Sequence, residues 1–190
     1  MLNLILFGPP GAGKGTQSEK IIDHYNLTHI STGDLFRKHL GEGTELGQMA
    51  KKYMDVGNLV PDEVVIKMVE EKIKETEDTN GFIFDGYPRT VAQAEAIDKF
   101  LKDRGTPVSG MICLEVDEEE LWKRIQGRAK VSGRADDQDK DKFDNRIKVY
   151  QGETLPVAEY FQSHGKCSSV EGTGTIEEIF SRISSIIDSY

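Results

Sequence analysis

The sequence predicts an α/β fold, a doubly wound parallel sheet flanked by helices, and two features of its 190 residues indicate it. Short apolar runs alternate with amphipathic stretches, as buried parallel strands alternate with the helices that join them. A glycine-rich turn follows the first apolar run, at the carboxyl end of the predicted strand, where open α/β folds bind ligands. We therefore expect one domain with its functional site along the carboxyl ends of the strands.

Five apolar runs are predicted as strands, and they span residues 2–7, 28–31, 81–84, 109–116 and 167–170. Helices are predicted to begin near Lys14, to span 34–40 and 44–55, and to follow Pro61. The capping box Thr90-x-x-Gln93 opens a helix over 91–104. A further helix follows Asp117, and a last one follows Thr175 with an isoleucine-rich stripe that we assign to the core.

Residues 8–16, with the sequence GPPGAGKGT, predict a phosphate-binding loop (P-loop) at the start of the first helix. Its glycines let backbone N–H groups converge on an anion, and the helix adds its positive end. Lys14 supplies an ammonium for the outer phosphates of a nucleotide, and Thr16 a hydroxyl near a metal ion. The strict pattern G-x-x-x-x-G-K-[ST] fails at Gly15, so it does not assign Thr16 as a direct magnesium ligand. The alternative interpretation is a simple strand-to-helix turn.

The acidic composition argues for a small partner. A formal net charge of −9 and a pI near 5.0 disfavour binding to nucleic acid or to an anionic membrane. We find no basic, apolar leader and no apolar run long enough to span a bilayer, so we expect a cytoplasmic protein. No apolar stripe is left over once the core is assigned, so we expect a monomer.

The two cysteines, Cys113 in an apolar run and the isolated Cys167, offer neither a disulfide framework nor a metal-ligand cluster. We expect both to be reduced and Cys113 to lie in the core.

Arginine usage is concentrated in the motifs. Of the 24 basic residues eight are arginine, and only Arg104 and Arg182 lie outside motif-bearing segments. The planar guanidinium suits bidentate contact with phosphate oxygens, whereas lysine serves solubility. The six arginines in motifs are Arg37, Arg89, Arg124, Arg128, Arg134 and Arg146. We expect them to turn inward around a shared cleft.

Two motifs place charged groups beside the P-loop. Asp85 ends an apolar strand, where a carboxylate can orient magnesium through its waters, although a turn-capping Asp would look the same. The segment STGDLFR, residues 31–37, places hydroxyls at a helix start and Arg37 one turn later, which suits a second anionic ligand. Capping by Ser31 or Thr32 explains the hydroxyls equally well.

Two assignments stay open on local evidence. Gln93 is either a ligand or the reciprocal partner of Thr90 in the cap. Arg124 and Arg128 share a helix face and repel each other unless an anion lies near, although Glu118 and Glu119 offer another source of neutralisation.

Two segments, residues 32–60 and 129–139, interrupt the regular alternation. The first is predicted as short helices, and the second is polar and glycine-containing with almost nothing to bury. Both are expected to act as flaps over the P-loop.

In order and spacing, GPPGAGKGT (8–16), STGDLFR (31–37), DGYPRT (85–90) with Gln93, and GRADD (133–137) resemble the adenylate kinases over essentially the whole chain. The resemblance implies a single P-loop kinase domain, 1–190, with an AMP-binding flap over 32–60 and a short lid over 129–139. That lid lacks the zinc cluster of some long-lid relatives, so no structural zinc is expected.

The resemblance also implies the site residues. ATP is expected at Gly11, Ala12, Gly13, Lys14, Gly15, Thr16, Arg124, Arg128 and Gly174. AMP is expected at Thr32, Arg37, Asn58, Leu59, Val60, Gly86, Tyr87, Pro88, Arg89, Gln93, Arg134 and Arg146. The catalytic set is expected to be Lys14, Arg89, Arg124, Arg128, Arg134 and Arg146. Asp85 is expected to orient magnesium through water, and Asp136 and Asp137 are expected to belong to the hydrogen-bond network of the lid. The sequence departs from the family at Tyr87, commonly Phe, and at Gly174, which is bulkier in some relatives and is assigned for its carbonyl only.

The expected reaction is reversible transfer of the terminal phosphoryl group of Mg-ATP to AMP, which gives two ADP. The acceptor phosphate is already ionised near neutral pH, so no protein base is required. This agrees with the absence of histidine from all the motifs. A pyrimidine monophosphate kinase is the first alternative, although Thr32 and Gln93 favour adenine by resemblance. A nucleotide-dependent switch is the second, and the absent N-K-x-D motif weakens it.

Overall fold

A computed structural model describes residues 1–76, 78–132, 137 and 139–190. Its centre is a parallel sheet in the spatial order β2-β3-β1-β4-β5. The strands are β1 (Leu4–Phe7), β2 (Thr28–Ser31), β3 (Phe82–Asp85), β4 (Gly110–Glu115) and β5 (Cys167–Glu171). The predicted doubly wound parallel sheet is confirmed, with each strand within two residues of its predicted bounds.

Helices cover both faces of the sheet. They are α1 (Lys14–Tyr25), α2 (Thr32–Gly41), α3 (Glu45–Met54), α4 (Asp62–Glu75), α5 (Val91–Asp103), α6 (Glu118–Ser132), α7 (Lys140–Val149), α8 (Leu155–Ser163) and α9 (Ile176–Ile187). A turn of π-helix, Tyr150–Thr154, joins α7 to α8. The sequence did not predict this π-turn. It also placed the start of a polar lid at residue 129, whereas α6 remains helical through Ser132.

The sheet separates two hydrophobic cores because neighbouring residues of a strand point to opposite faces. In β1, Ile5 and Phe7 belong to one core, and Leu4 and Leu6 to the other. All four side chains are buried, as expected for a central parallel strand. This packing fixes the end of β1, from which the P-loop departs.

The predicted helix caps explain where several helices begin. Oγ of Ser31 accepts a hydrogen bond from the backbone N–H of Asp34, so Ser31, not Thr32, caps α2. At α9, Thr175 and Glu178 bond to each other's backbone N–H in a complete capping box.

The isoleucine stripe of α9 is only partly core. Ile179, Ile183 and Ile187 are buried, as predicted. Ile176 is 48% exposed and lines the cleft described below, so its assignment to the core was wrong. It occupies the first turn of α9, next to the N-cap residue Thr175.

Helices α2 and α3 form a tightly packed pair beside the cleft. A Cβ on Gly47 would lie 2.4 Å from the backbone nitrogen of Leu40, so only glycine permits this approach. Within the described ranges, none of the helices has both the length and the apolar character needed to cross a membrane.

Candidate functional site

A cleft of about 920 Å³ lies at the carboxyl ends of the strands. It gathers positive side chains that are far apart in the sequence, namely Lys14, Arg37, Arg89, Arg124, Arg128 and Arg146. The predicted convergence of cations on one cleft is therefore observed for the amine and for five of the six arginines. Arg134, together with Asp136, lies outside the described residues.

The other predicted positions also line this cleft or a smaller cavity that adjoins it. In the cleft are Gly11, Ala12, Gly13, Gly15, Thr16, Asn58, Leu59, Asp85, Gly86, Tyr87, Pro88 and Gly174. The smaller cavity adds Thr32, Val60 and Gln93, and shares Asn58, Leu59, Gly86 and Arg89 with the cleft. The two predicted nucleotide sites are thus neighbouring parts of one opening.

The P-loop leaves an uncapped helix end towards the cleft. Gly11 and Gly13 have φ values of +88° and +91°, which glycine adopts without strain. A Cβ on Gly11 would also lie 2.9 Å from the carbonyl oxygen of Leu121. The N-cap residue of α1 is Gly13, which has no side chain to cap the helix, so the first N–H groups of α1 are able to bind an anion.

The ammonium of Lys14 is turned back onto the P-loop. Its Nζ donates to the carbonyl oxygens of Gly8 and Pro9 at 2.7 and 3.0 Å. Burial lowers the pKa of Lys14 to about 8; Asp85 opposes this shift, and Arg89 and other nearby arginines add to it. A phosphate bound in the loop would favour the charged ammonium.

Arg124 connects α6 to the P-loop and to the loop after β5. Nε donates to Oε1 of Glu120 at 2.8 Å, while Nη1 and Nη2 donate to the carbonyl oxygens of Ala12 and Gly172 at 3.3 and 3.0 Å. The acidic partner of Arg124 is Glu120, rather than Glu118 or Glu119, which the sequence offered as a source of neutralisation. These contacts set the guanidinium plane at the entrance to the P-loop.

Asp137 holds two arginines of the cleft together. Its carboxylate accepts from Nε and Nη2 of Arg128 at 2.6 and 2.7 Å, and from Nη1 of Arg146 at 3.1 Å. Its side chain is fully buried, although the surrounding segment was expected to bury almost nothing. A phosphoryl group presents oxygens in a similar geometry, so it would compete for the same guanidinium groups.

Asp85 is an ionised carboxylate beside Lys14. Burial alone would raise its pKa, but the neighbouring His29, Lys14 and Arg89 together hold the pKa below its usual value. Nε2 of His29 lies 3.9 Å from Oδ2 of Asp85, too far for a hydrogen bond, and this buried nitrogen has no hydrogen-bond partner among the described residues.

The donor set beside the P-loop fits a magnesium ion that is bound mainly through phosphates. Asp85 and Thr16 both line the cleft and supply oxygen donors, which hard cations prefer. The described part of the chain contains no cluster of three or more His, Cys, Asp or Glu side chains able to hold a metal.

Gly86 brings together the elements that line the smaller cavity. Its carbonyl oxygen accepts from Oγ1 of Thr32 at 2.7 Å and from Nε of Arg89 at 2.8 Å. Its φ is +70°, and a Cβ there would lie 2.8 Å from Nη2 of Arg89. The positive φ therefore favours glycine at this position, and any other side chain would have to displace the Arg89 guanidinium.

The structure shows that Gln93 is not the reciprocal partner of Thr90 in a capping box. Its Oε1 accepts from the backbone N–H of Arg89, and its Nε2 donates to Oδ1 of Asp62, both at 2.8 Å. The side chain does not make the reciprocal bond to Thr90. Oγ1 of Thr90 donates to the same oxygen of Asp62 at 2.9 Å, so Asp62 joins α4 to α5. No sequence signal singled out Asp62.

Both departures from the family pattern have a structural explanation. The ring of Tyr87 is buried beside Phe84, and its hydroxyl donates to the carbonyl oxygen of Gln93 at 3.4 Å. Burial raises the pKa of Tyr87, so the phenol remains neutral.

The second departure is Gly174. It has φ +114°, and a Cβ there would lie 2.8 Å from Oε2 of Glu178. Glycine itself matters at 174, in addition to its carbonyl.

The π-turn adds residues that the sequence analysis missed. The N–H of Leu155 bonds to the carbonyl of Tyr150, five residues back, and Val149 and Thr154 both line the cleft. In an α-helix, residues five apart point about 140° away from each other. The π-turn therefore brings Thr154 to the cleft, and no motif in the sequence indicates it.

Comparison with known proteins identifies the chain's relatives. A family model described as adenylate kinase matches residues 6–166. A protein named adenylate kinase from Flavobacterium johnsoniae is 51% identical over 189 residues, and the alignment covers 100% of both chains. The corresponding protein of Flavobacterium psychrophilum is 49% identical with the same coverage. That of Parabacteroides distasonis is 49% identical over 100% of this chain and 99% of its own.

Proposed function

The chain belongs to the adenylate kinase family, and we propose that Lys14 and the cleft arginines carry its reaction, the reversible transfer of the terminal phosphoryl group of ATP to AMP to give two ADP. The convergence of one ammonium and five guanidinium groups on one cleft is the observation that supports these assignments. We place ATP along the P-loop, Arg124, Arg128 and Gly174, and AMP along the smaller cavity, Arg37 and Arg89.

In this proposal the protein acts by positioning and charge stabilisation. The P-loop N–H groups and Lys14 bind the ATP phosphates, and the guanidinium groups of Arg89, Arg128 and Arg146 stabilise the charge that develops on the transferring group. The AMP phosphate is its own nucleophile, so no side chain needs to remove a proton. Exclusion of water protects the phosphoryl group from hydrolysis.

We propose that Mg²⁺ accompanies ATP, and that Asp85 orients it through water while phosphate oxygens supply most of its ligands. When bound, the ion supplies charge neutralisation between the phosphates. The ionised state of Asp85 and the oxygen donors beside it support this proposal.

We propose that residues 32–60 close over AMP and that 129–139, of which 129–132, 137 and 139 are described, close over ATP. The tight α2–α3 pair supports movement of the first segment as a unit. The contact of Asp137 with Arg128 and Arg146, which line the cleft, supports closure of the second segment over it. Arg134 remains part of this proposal.

We further propose that the protein works as a cytoplasmic monomer whose partners are nucleotides rather than nucleic acid or membrane. The net charge of −9 opposes binding to polyanions.

A coupled assay tests the assignment of acceptor. Purified protein with Mg-ATP receives AMP, CMP, UMP, GMP or no acceptor, and formation of ADP is followed. We expect rapid turnover only when AMP is the acceptor. Faster turnover with CMP or UMP would support a pyrimidine kinase, and equal turnover without an acceptor would support a hydrolytic switch.

Asp62→Ala tests the AMP side of the cleft. The change removes the acceptor shared by Thr90 and Gln93, so we expect KM for AMP to rise by about tenfold and the free energy of unfolding to fall by about 1–3 kcal/mol. KM for ATP is expected to change little. Steady-state kinetics and urea unfolding measure these effects. Glu63→Ala is the matched control, since Glu63 is an exposed acid on the same turn of α4. A similar rise in KM for both substrates would contradict the assignment.

The lowered pKa of Lys14 predicts proton uptake when metal-free ADP binds. Above about pH 8 the free protein has largely lost this proton, and phosphate oxygens near Nζ favour its return. ADP itself is already fully ionised there. We expect uptake approaching one proton above pH 8 and little below pH 7, measured by calorimetry in buffers of different ionisation enthalpy. Equal uptake by Lys14→Met would overturn this prediction.

The lowered pKa of Lys14 also makes the free energy of unfolding depend on pH. The folded-state pKa of Lys14, about 8, lies below the unfolded value of 10.5, so the unfolded chain binds more protons between these pH values. Relative to Lys14→Met, the free energy of unfolding of the wild type is therefore expected to rise from about pH 8 to about 10.5. Urea unfolding across this range measures it.

A further inference from the structure

The two cysteines meet in the fold although 54 residues separate them. Cys113 lies in β4 and Cys167 begins β5, and their Sγ atoms are 2.9 Å apart. Both are free thiols. Cys113 is buried, whereas Cys167 is only partly buried, so one thiol of the pair is accessible to reagents.

The strand register makes their contact diagonal. Cys167 pairs with Met111, while Cys113 pairs with Ser169. With strands about 4.8 Å apart and a rise of about 3.3 Å per residue, this offset places the two Cα atoms about 8 Å apart. Disulfides usually join Cα atoms about 4.4–6.8 Å apart, so a bond here requires the backbones of β4 and β5 to shift. Such a bond is readily reduced.

The pair lies next to the P-loop. In the register of β1 and β4, Cys113 is the partner of Phe7, the residue before Gly8. The ring of Tyr150, which lines the cleft, packs on Phe7 with centroids 5.7 Å apart. A displacement of the backbone at Cys113 would therefore move Phe7, at the base of the P-loop, and Tyr150, in one wall of the cleft.

We propose that Cys113 and Cys167 form a reversible redox modification site, which small disulfides oxidise to an intramolecular disulfide that weakens ATP binding. The contact of the two sulfur atoms, the accessibility of one of them and the position beside Phe7 carry this inference.

The chemistry proceeds by two thiol–disulfide exchanges. The thiolate of Cys167 attacks a small disulfide, forms a mixed disulfide and releases one small thiolate, which takes a proton from water. Cys113 then attacks Sγ of Cys167 and loses its proton, and the second small thiol leaves. Two protein thiols are oxidised, and one disulfide is reduced to two thiols. The hydrogen bond between the cysteines lowers the pKa of Cys167 and, with burial, raises that of Cys113, in agreement with this order.

Intact-mass analysis after treatment of the folded protein with oxidised glutathione tests the chemistry. We expect the wild type to become lighter by two hydrogen atoms, with loss of both free thiols and full reversal by dithiothreitol. Cys113→Ala is expected to retain one glutathione, because no second thiol resolves the adduct. Cys167→Ala is expected to react slowly or not at all. A wild type that keeps a stable glutathione adduct or both thiols would overturn the proposal.

Kinetics of the oxidised wild type test the link to the cleft. We expect KM for ATP to rise several-fold and to return to its original value after reduction, while Cys167→Ala treated in the same way keeps its KM. Unchanged KM in fully oxidised protein would overturn the link. The mass measurement needs no substrate, so its failure is distinguishable from failure of the assigned nucleotide sites.

Discussion

Lys14→Met is expected to lower kcat/KM by about a thousandfold, the largest effect of any substitution proposed here. Lys14 supplies the ammonium of the P-loop, and its Nζ is the one amine that faces Asp85 and the cleft arginines among the described residues. Methionine has a similar length and fills the same space, but it offers no positive charge to the transferring phosphoryl group. Steady-state assays with ATP and AMP measure the loss.

The same substitution is expected to leave folding intact. Burial disfavours the charged lysine in the folded state at pH 7, so an apolar side chain of similar volume costs little there. We expect the free energy of unfolding of Lys14→Met to equal or exceed that of the wild type. Lys20→Met is the matched control because Lys20 lies on the same helix and pairs with Glu177 at the surface. An inactive but markedly less stable Lys14→Met would contradict the assigned role, and so would an active one.

Arg89→Lys is expected to lower kcat by about 10²- to 10³-fold although the positive charge is kept. Nε of Arg89 donates to the carbonyl of Gly86, and Arg89 lines both the cleft and the smaller cavity, at the boundary between the two proposed nucleotide sites. A lysine ammonium cannot hold that carbonyl and present two further aligned donors. Single-turnover measurements of phosphoryl transfer test this expectation directly.

Two variants make the result for Arg89 specific. Arg104→Lys changes an exposed arginine that lies over the ring of Phe100, away from the cleft, and normal kinetics are expected. In Gly86→Ala the new Cβ would lie 2.8 Å from Nη2 of Arg89, so activity is expected to fall in the same direction as in Arg89→Lys. Normal kcat in Arg89→Lys would remove Arg89 from the proposed machinery.

The fold was predictable because its signals are local. Each strand is a short apolar run, and caps such as Ser31 and the box at Thr175 mark helix starts within four residues. The π-turn escaped prediction because its i+5 bond leaves no pattern in residue type. The end of α6 was misplaced because a polar helix with little to bury resembles a loop in sequence.

The sequence alone determined which chemical groups the site contains. The P-loop signature, the arginines in the motifs and Asp85 were all identified without coordinates, since their type and spacing reflect phosphate chemistry. The tertiary structure alone decided which distant groups meet. Asp62 contacts both Thr90 and Gln93, and Cys113 contacts Cys167. These contacts depend on strand order and helix packing, which no short segment of sequence encodes, because they arise only when the sheet brings separate segments side by side.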